Sequence, residues 1–396
     1  MNETVTYKGW RNPKVCLILF AAAAPFSFSI WVALLNNFSV EVASFTGAEI
    51  GTLHSIREIP GLLAFTAVFF LLMMREQIFA LVSLLILGIS IAATGFFPTV
   101  YGLYLTTLLM SVGFHYLETI QMSLSLQWLS KEEAPKALSH QVSAKSIAAL
   151  LAYGLLWFGV EVFDLSYTIL YLVAGGATVV ITLFIWISFP RIEGHTPQQK
   201  SLFMRKRYWL YYTITFMRGA RRQIFTVFAG FLLVTKFGYD VGDITGLYLL
   251  NHLVTTWLAP KVGAFVTRCG ERLALIIEYS GLTIVFISYA LVEDPIFAAG
   301  LYIMDHLFFS FAIAQKSYLQ KIAADKDIAA TIGVGFSISH IASVIIPIMF
   351  GVYLWEQNPA MVFYAGAALA FLSLILSLNI PRHPAPGNEV IWGKQD

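Results

Sequence analysis

Charge is what this sequence has least of. Asp, Glu, Lys and Arg make up 12% of its 396 residues, while hydrophobic residues make up 58%. An average soluble domain carries roughly 25% charged residues, so a soluble fold of this length could not cover its surface. The formal net charge of +2 is too small to recruit nucleic acid. Cysteine is nearly missing: Cys16 and Cys269 lie far apart, which excludes a disulfide framework and a cysteine-rich metal site. No GxxxxGK(S/T) phosphate loop occurs, so ATP is not the energy source. No HExxH, GxSxG or CxxC marks an enzyme, and nothing calls for a resident cofactor or metal.

Long apolar runs are what the sequence has instead. A membrane-crossing helix needs about 20 mostly apolar residues. Runs of that kind, broken where Gly, Pro and charge cluster, predict helices over 14–36, 47–74, 77–97, 100–129, 137–160, 167–189, 208–235, 243–267, 272–292, 295–321, 327–355 and 359–380. Stretches such as Leu81–Ile91 are continuously apolar, unlike the alternating strands of a membrane β-barrel. Lys8, Arg11 and Lys14 precede a run of full span length, so the first segment reads as a retained anchor rather than a cleaved signal. With the N-terminus inside, the inner segments hold Lys8, Arg11, Lys14, Arg75, Lys131, Lys136, Arg191, Lys200, Arg205, Lys206, Arg207, Arg268, Arg272, Lys321, Lys326, Arg382 and Lys394, and the outer loops only Lys236. That bias predicts an inner (cell) membrane protein with both ends cytoplasmic.

The longest polar break, 190–207, separates a six-helix bundle over 1–189 from a second over 208–396 that ends in a short cytoplasmic tail. The halves are related. At an offset of 194 residues Glu49 aligns with Asp243, Leu53 with Leu247, Gln121 with Gln315, Ser123 with Ser317, Ile147 with Ile341 and Ala148 with Ala342. Parallel six-helix repeats are one transporter plan. After the eighth predicted helix comes Gly263-Ala-Phe-Val-Thr-Arg268-Cys-Gly270-Glu-Arg272. With the 6+6 split and the basic central loop, this segment resembles the loop signature of the major facilitator superfamily. Thr267 stands at the signature's acidic position, and the first-half loop around Arg75 keeps little of it. The resemblance implies an all-α fold of two pseudo-symmetric six-helix bundles, with Gly263, Arg268, Gly270 and Arg272 helping to lock a gate. The antiporter proline-glycine signature is missing from the fifth helix: Ser146–Gly159 holds no proline.

Ionisable residues at membrane depth cost about 2.5–3.5 kcal/mol each and mark pathways or buried pairs. The sharpest group is Met217-Arg218-Gly-Ala-Arg221-Arg222-Gln223. Residues i, i+3 and i+4 share a helix face, so Arg218, Arg221 and Arg222 are expected to face a cavity and grip a carboxylate or phosphate with their planar forks. The alternative is an internal ion-pair cluster with Glu118 or Asp305. His115 and Glu118, i and i+3 apart, form a candidate proton site continued by Gln121 and Met122, with a structural pair as the alternative. Arg57 and Glu58 are neighbours whose side chains should diverge by about 100°, and Pro60 beyond them is positioned to kink the helix. Asp305-His306, Gln315 and His340 offer a second-half ion site, with metal ligation as the weaker reading. His54 is expected to bond locally, and Glu278 to pair with a basic loop.

These residues predict a secondary active transporter of a small organic anion, proton-coupled, working by alternating access as a monomer among membrane lipids. Substrate binding falls to Arg218, Arg221, Arg222, Gln121, Arg57 and Gln315. Proton coupling falls to Glu118, His115, Glu58, Asp305, His306 and His340. Transport of a divalent metal or its chelate is the rival, and a transport-inactive receptor or scaffold the rival of another class.

Overall fold

The computed structural model of the chain describes residues 9–71, 73–129, 134–192 and 204–393. Leu72 and, of the inner charges, Lys8, Lys131, Lys200 and Lys394 lie outside the described residues; the side chains of Met122, Lys136 and Lys326 do also. Each predicted span is helical. The helices are α1 (Pro13–Glu41), α2 (Gly47–Leu62), α3 (Glu76–Thr94), α4 (Val100–Trp128), α5 (Ala134–Glu161) and α6 (Tyr167–Ser188). In the second half, α7 runs Trp209–Gln223, passes through a π-helical turn Ile224–Ala229 and continues as Gly230–Phe237. Then come α8 (Val241–Cys269), α9 (Glu271–Leu291), α10 (Pro295–Phe308, continued as Ala312–Ile322), α11 (Asp325–Phe350) and α12 (Pro359–Leu378). Among the described residues, nine helices are long and apolar enough to cross a membrane. The three that fall short, α2, α7 and α8, carry Arg57, Glu58, the arginine group and His252.

Local chemistry sets the helix starts. Asn12 and Asp294 cap α1 and α10, accepting from Val15 N at 3.1 Å and Phe297 N at 2.7 Å, each with proline at the first helical position. That position needs no N–H, and proline's fixed φ suits it. The repeat shows here too. Glu49 accepts from the Thr46 N–H (2.6 Å) and Asp243 from the Asp240 N–H (3.2 Å), so the carboxylates matched at the 194 offset close the same capping turn of α2 and α8. Beyond Pro60, α2 ends at Leu62 and the chain tightens into a 3₁₀ turn, Ala64–Thr66.

Contacts divide the chain into two compact units, residues 1–43 with 59–199 and residues 44–58 with 200–396. The division falls inside α2: its first turns, with His54, Arg57 and Glu58, belong to the unit of the second half. In the first unit α3 packs on α4 and α6, and α1 on α5 and α6; in the second, α9 packs on α10 and α12, and α7 on α11 and α12. The same pairs recur six helices apart, as a duplicated bundle requires. The end of the second unit is closed by residues 380–393. Asn379 Oδ1 accepts from Ile391 N (3.0 Å) and Trp392 N (2.6 Å), Tyr318 donates to Glu389 O (2.6 Å) and Trp209 to Gly393 O (3.1 Å).

Close helix crossings rest on glycine. A Cβ on Gly175 in α6 would stand 2.2 Å from Ala92 N on α3, and one on Gly51 the same distance from Pro347 O on α11. Small residues let helix backbones approach where lipid supplies no hydrophobic drive. Gly175→Leu is therefore expected to cost about 1–3 kcal/mol and lower the melting temperature in detergent. Gly176→Leu, whose Cβ would meet nothing within 4 Å, should leave it unchanged.

Candidate functional site

The second unit gathers most of the membrane-depth charge. Arg218 and Arg221, one turn apart on α7, both donate to Glu278 Oε1 on α9, at 2.9 and 3.2 Å. Arg221 Nη1 also stands 3.9 Å from Asp305 Oδ1 on α10. Arg221, Glu278 and Asp305 have no exposed side-chain surface, and Arg218 has 16%. Gln315 joins them, accepting from Arg218 at 2.8 Å and donating to Thr215 Oγ1 at 2.7 Å. Glu278 thus pairs inside the bundle, not with a basic loop. Its position one helix face from Asp305 could not be read without the packing of α9 on α10.

The third arginine turns elsewhere. Arg222, 100° further round α7, donates to Ser343 Oγ on α11 (3.3 Å), stands 3.8 Å from Glu58 Oε2 and keeps 43% of its side chain exposed. The i, i+3, i+4 spacing therefore yields a buried pair and a separate, half-exposed partner, rather than three equivalent grips. Glu58 lies at the centre of this second group. Arg57 donates to its Oε1 through Nε (3.2 Å) and Nη2 (2.7 Å), and His340 Nε2 on α11 lies 3.7 Å from Oε2. The expected divergence of Arg57 and Glu58 is overturned: the long arginine stem folds back along the helix and its fork meets the neighbouring carboxylate. His340 Nδ1 lies 2.9 Å from Phe336 O in its own helix.

Aromatic rings adjoin these charges. Phe225, in the π-helical turn that follows the arginines, packs on Tyr302 (4.7 Å between centroids) and Phe309 (5.2 Å). His306 faces His252 at 6.3 Å, and Tyr248 meets Tyr302 at 6.2 Å. Tyr248, His252, His306 and Phe309 are half-buried. π-turns inside helices cluster at working sites. His54, expected to bond locally, is buried with no hydrogen-bond partner for either ring nitrogen among the described residues.

The remaining candidates belong to the first unit. Glu118 on α4 pairs with Lys145 on α5 at 3.6 Å, both side chains more than a third exposed. They line a recess of about 180 Å³ with Pro25, Phe28, Phe114 and Gln121. Gln121 also donates to Gln141 Oε1 at 3.0 Å. His115 is buried against Phe114, their ring centroids 5.3 Å apart.

At the helix ends, Gly270 takes φ +84° to turn from α8 into α9, the left-handed region that glycine tolerates. Arg268 is exposed and Arg272 half-buried, and Thr267 Oγ1 donates back to Gly263 O at 3.0 Å. Glu271, at the start of α9, accepts from Ser317 (2.7 Å) and pairs with Lys321 (2.6 Å). In the first unit Glu76 accepts from Ser123 (3.2 Å) and Gln127 (2.7 Å). Ser123 and Gln127 map onto Ser317 and Lys321 at the 194 offset, so both halves tie a helix start to the end of the next helix. The Ser123–Ser317 match was the signal that could have found these carboxylates. A further clasp forms where Asp327, buried at the start of α11, accepts from Tyr208 and Arg207 (3.0 Å each) and pairs with Arg205 at 2.7 Å.

Two outcomes follow. Removing one partner of a buried ion pair costs about 3–5 kcal/mol. Arg221→Met should therefore lower the melting temperature sharply, while Arg222→Gln should shift it little. Burial pushes the Asp327 carboxyl up, but hydrogen bonds from Arg205 and Tyr208 and the charges of Arg205 and Arg207 outweigh it and hold it below the ordinary carboxylate range. Its contribution to stability is full above that range and is lost as pH falls through its own, lower value. Asp327→Asn should flatten the acid limb of a melting-temperature profile.

One family model matches most of the chain. The profile described as "Major Facilitator Superfamily" matches residues 15–347. No curated protein matches the chain. Among solved structures, a mutant form of the nucleoside transporter NupG aligns with a TM-score of 0.77 at 16% identity, covering 93% of this chain and 99% of that one. A second NupG structure gives 0.71 at 16% identity, over 93% and 98%. A bacterial homologue of the human lysosomal transporter Spinster, in an inward-facing and occupied conformation, gives 0.70 at 12%, over 92% and 95%. At such identities the likeness is one of fold. With a profile spanning most of its length and an all-helical membrane fold beneath it, the chain belongs to the major facilitator superfamily and is an integral membrane transporter, not an enzyme.

Proposed function

We propose that this transporter moves a small organic anion by alternating access, coupled to protons, with both termini cytoplasmic and one chain as the working unit. The six-helix halves on either side of 190–207 are the moving bodies. The observation that carries the reading is the shared carboxylate of Glu58. Among the described residues of the second unit, Arg57, Arg218, Arg221 and Arg222 stand against Glu58, Glu278 and Asp305. Arg218 and Arg221 are committed to Glu278 and Asp305, while Arg57 and Arg222 share Glu58. Arg222 is the most exposed of the four pairings and the one placed to take a carboxylate or phosphate.

Coupling follows from the same group. When Glu58 takes up a proton, Arg57 and Arg222 lose their common counter-charge, and an incoming anion replaces it. Proton and anion then bind as a linked pair. His340, beside Glu58, is placed to relay the proton; Glu118 with Lys145 and His115 serves the first half in the same capacity. A proton moving inward yields roughly 2.3 kcal/mol per 100 mV. The half-buried rings of Tyr248, Phe309, His252 and His306 favour a substrate with a planar ring. Since NupG is named a nucleoside transporter, a neutral nucleoside is the rival cargo.

Uptake into proteoliposomes under an inward proton gradient tests this. An aromatic carboxylate should accumulate. Arg222→Gln should reduce its uptake at least tenfold, since a hydrogen bond to a charged group contributes about 1.5–3 kcal/mol. Glu58→Gln should abolish gradient-driven accumulation while leaving exchange. Accumulation of a nucleoside or a metal chelate but no anion, unaffected by Arg222→Gln, would overturn the reading. So would the absence of any uptake, which is the outcome a receptor or scaffold gives.

A further inference from the structure

The opening turns of α2 belong to the second unit, and the way that helix begins sets it apart from its repeat counterpart. α8 caps itself: Asp240 Oδ1 accepts from Asp243 N at 2.8 Å. Where the 194-residue offset puts Asp240, α2 has a threonine, Thr46. The first N–H groups of a helix have no partner of their own. That of Ala48 is met from another helix, by Glu356 Oε1 at 2.9 Å. Glu356 directly follows the π-helical turn Gly351–Trp355 that extends α11. A carboxylate 308 residues away thus caps the start of α2.

Inward from this rim the two helices stay together. A Cβ on Gly47 would fall on the Trp355 ring, one on Gly51 on Pro347 O, and one on Gly351 on Gly47 O. Glycine lets these backbones cross at a distance that side chains would forbid. Trp355 is itself fixed, stacked on Phe228 of α7 at 5.4 Å. Ser55 Oγ accepts from Ile348 N at 3.0 Å, directly after the proline that interrupts α11. One turn further in, Glu58 stands 3.7 Å from His340 and 3.8 Å from Arg222. As α2 runs inward through Ala48, Gly51, Ser55 and Glu58, its partners step back along α11 from Glu356 to Pro347, Ile348 and His340. The seam therefore ends at the carboxylate on which the proposed coupling turns.

We propose that Glu356 is the outer latch of the transport cycle: it caps α2 while the way from outside to Arg222 is shut, and releases it when that way opens. The lysine and arginine bias of the sequence puts the loop of Glu356 outside. A cap built into a helix, like that of Asp240, travels with it; a cap supplied by α11 is lost when the helices part. Glu356 is exposed, so water takes over its hydrogen bond on release and the latch can open. The inference rests on alternating access and holds for any anion carried.

The test is side-specific thiol labelling in sealed right-side-out membrane vesicles. Arg222→Cys is placed in a Cys269→Ser background, and a membrane-impermeant methanethiosulfonate is added outside. Labelling should be slow with the latch intact. Glu356→Ala should speed it at least about fivefold, the equilibrium weight of one lost cap. Glu356→Gln, which keeps an acceptor without the charge, should fall between. Gly351→Leu, which wedges α11 off Gly47, should also speed it. Gly246→Leu, on the outer part of α8 with nothing within 4 Å of its Cβ, should not. Cys16, buried in α1, should stay unlabelled throughout, which separates opening from unfolding. If Gly351→Leu opens the way and neither Glu356 variant does, packing alone holds the seam and the latch is overturned. If no variant lets the reagent reach position 222 from outside, alternating access fails and the latch with it. Fast labelling with the latch intact would overturn the proposal as well.

Discussion

A guanidinium with no exposed surface has to be neutralised where it stands, and Arg221 is such a group. Taking an ion out of water costs several kcal/mol even after relaxation. α7 can carry Arg221 into the bundle only because α9 and α10 bring Glu278 and Asp305 to it. This requirement ties three helices of the second unit together through one side chain. It also recruits Arg218, because a residue one turn away reaches the same carboxylate oxygen. Gln315 then accepts from Arg218 and in turn donates to Thr215.

Once those carboxylates are committed, the distinction between fixed and working charge follows. Arg222 differs from Arg221 by a single position, yet it looks toward α11 and shares Glu58 with Arg57. In the proposed transport cycle, a carboxylate serving two arginines and a histidine acts as a switch, since one proton removes a counter-charge from both arginines. The aromatic cluster begins in the π-helical turn directly after the arginines, which places rings next to charge without a further element. Transport chemistry on this reading occupies the margin of a buried network rather than its centre.

Much of the fold was legible in the sequence because membrane helices are set by length and apolarity, which are local. Helices form at the twelve predicted segments, nine of them long and apolar enough to cross a membrane among the described residues, and the 194-residue offset anticipates both the paired helix caps of Glu49 and Asp243 and the serines that hold Glu76 and Glu271. The site was legible in its residue types and not in their pairing. Helical spacing correctly puts Arg218 and Arg221 together, but which carboxylate meets them depends on how α9 and α10 pack. The neighbours Arg57 and Glu58 escape the rule of diverging side chains because arginine is long enough to fold back. Asp327 sits at a helix start where acids are common, so nothing in the sequence marks it as a clasp.

The central claim is that Arg221 is sealed in the bundle while Arg222 stands in the accessible part of the site. It is tested most directly by thiol labelling in a Cys269→Ser background, Cys16 being buried. Arg221→Cys and Arg222→Cys are each exposed to a charged, membrane-impermeant methanethiosulfonate in folded protein. Rapid modification is expected at position 222, slowed by an aromatic carboxylate, and none at position 221 before unfolding. Equal labelling at the two positions, or labelling at 221 alone, would contradict it.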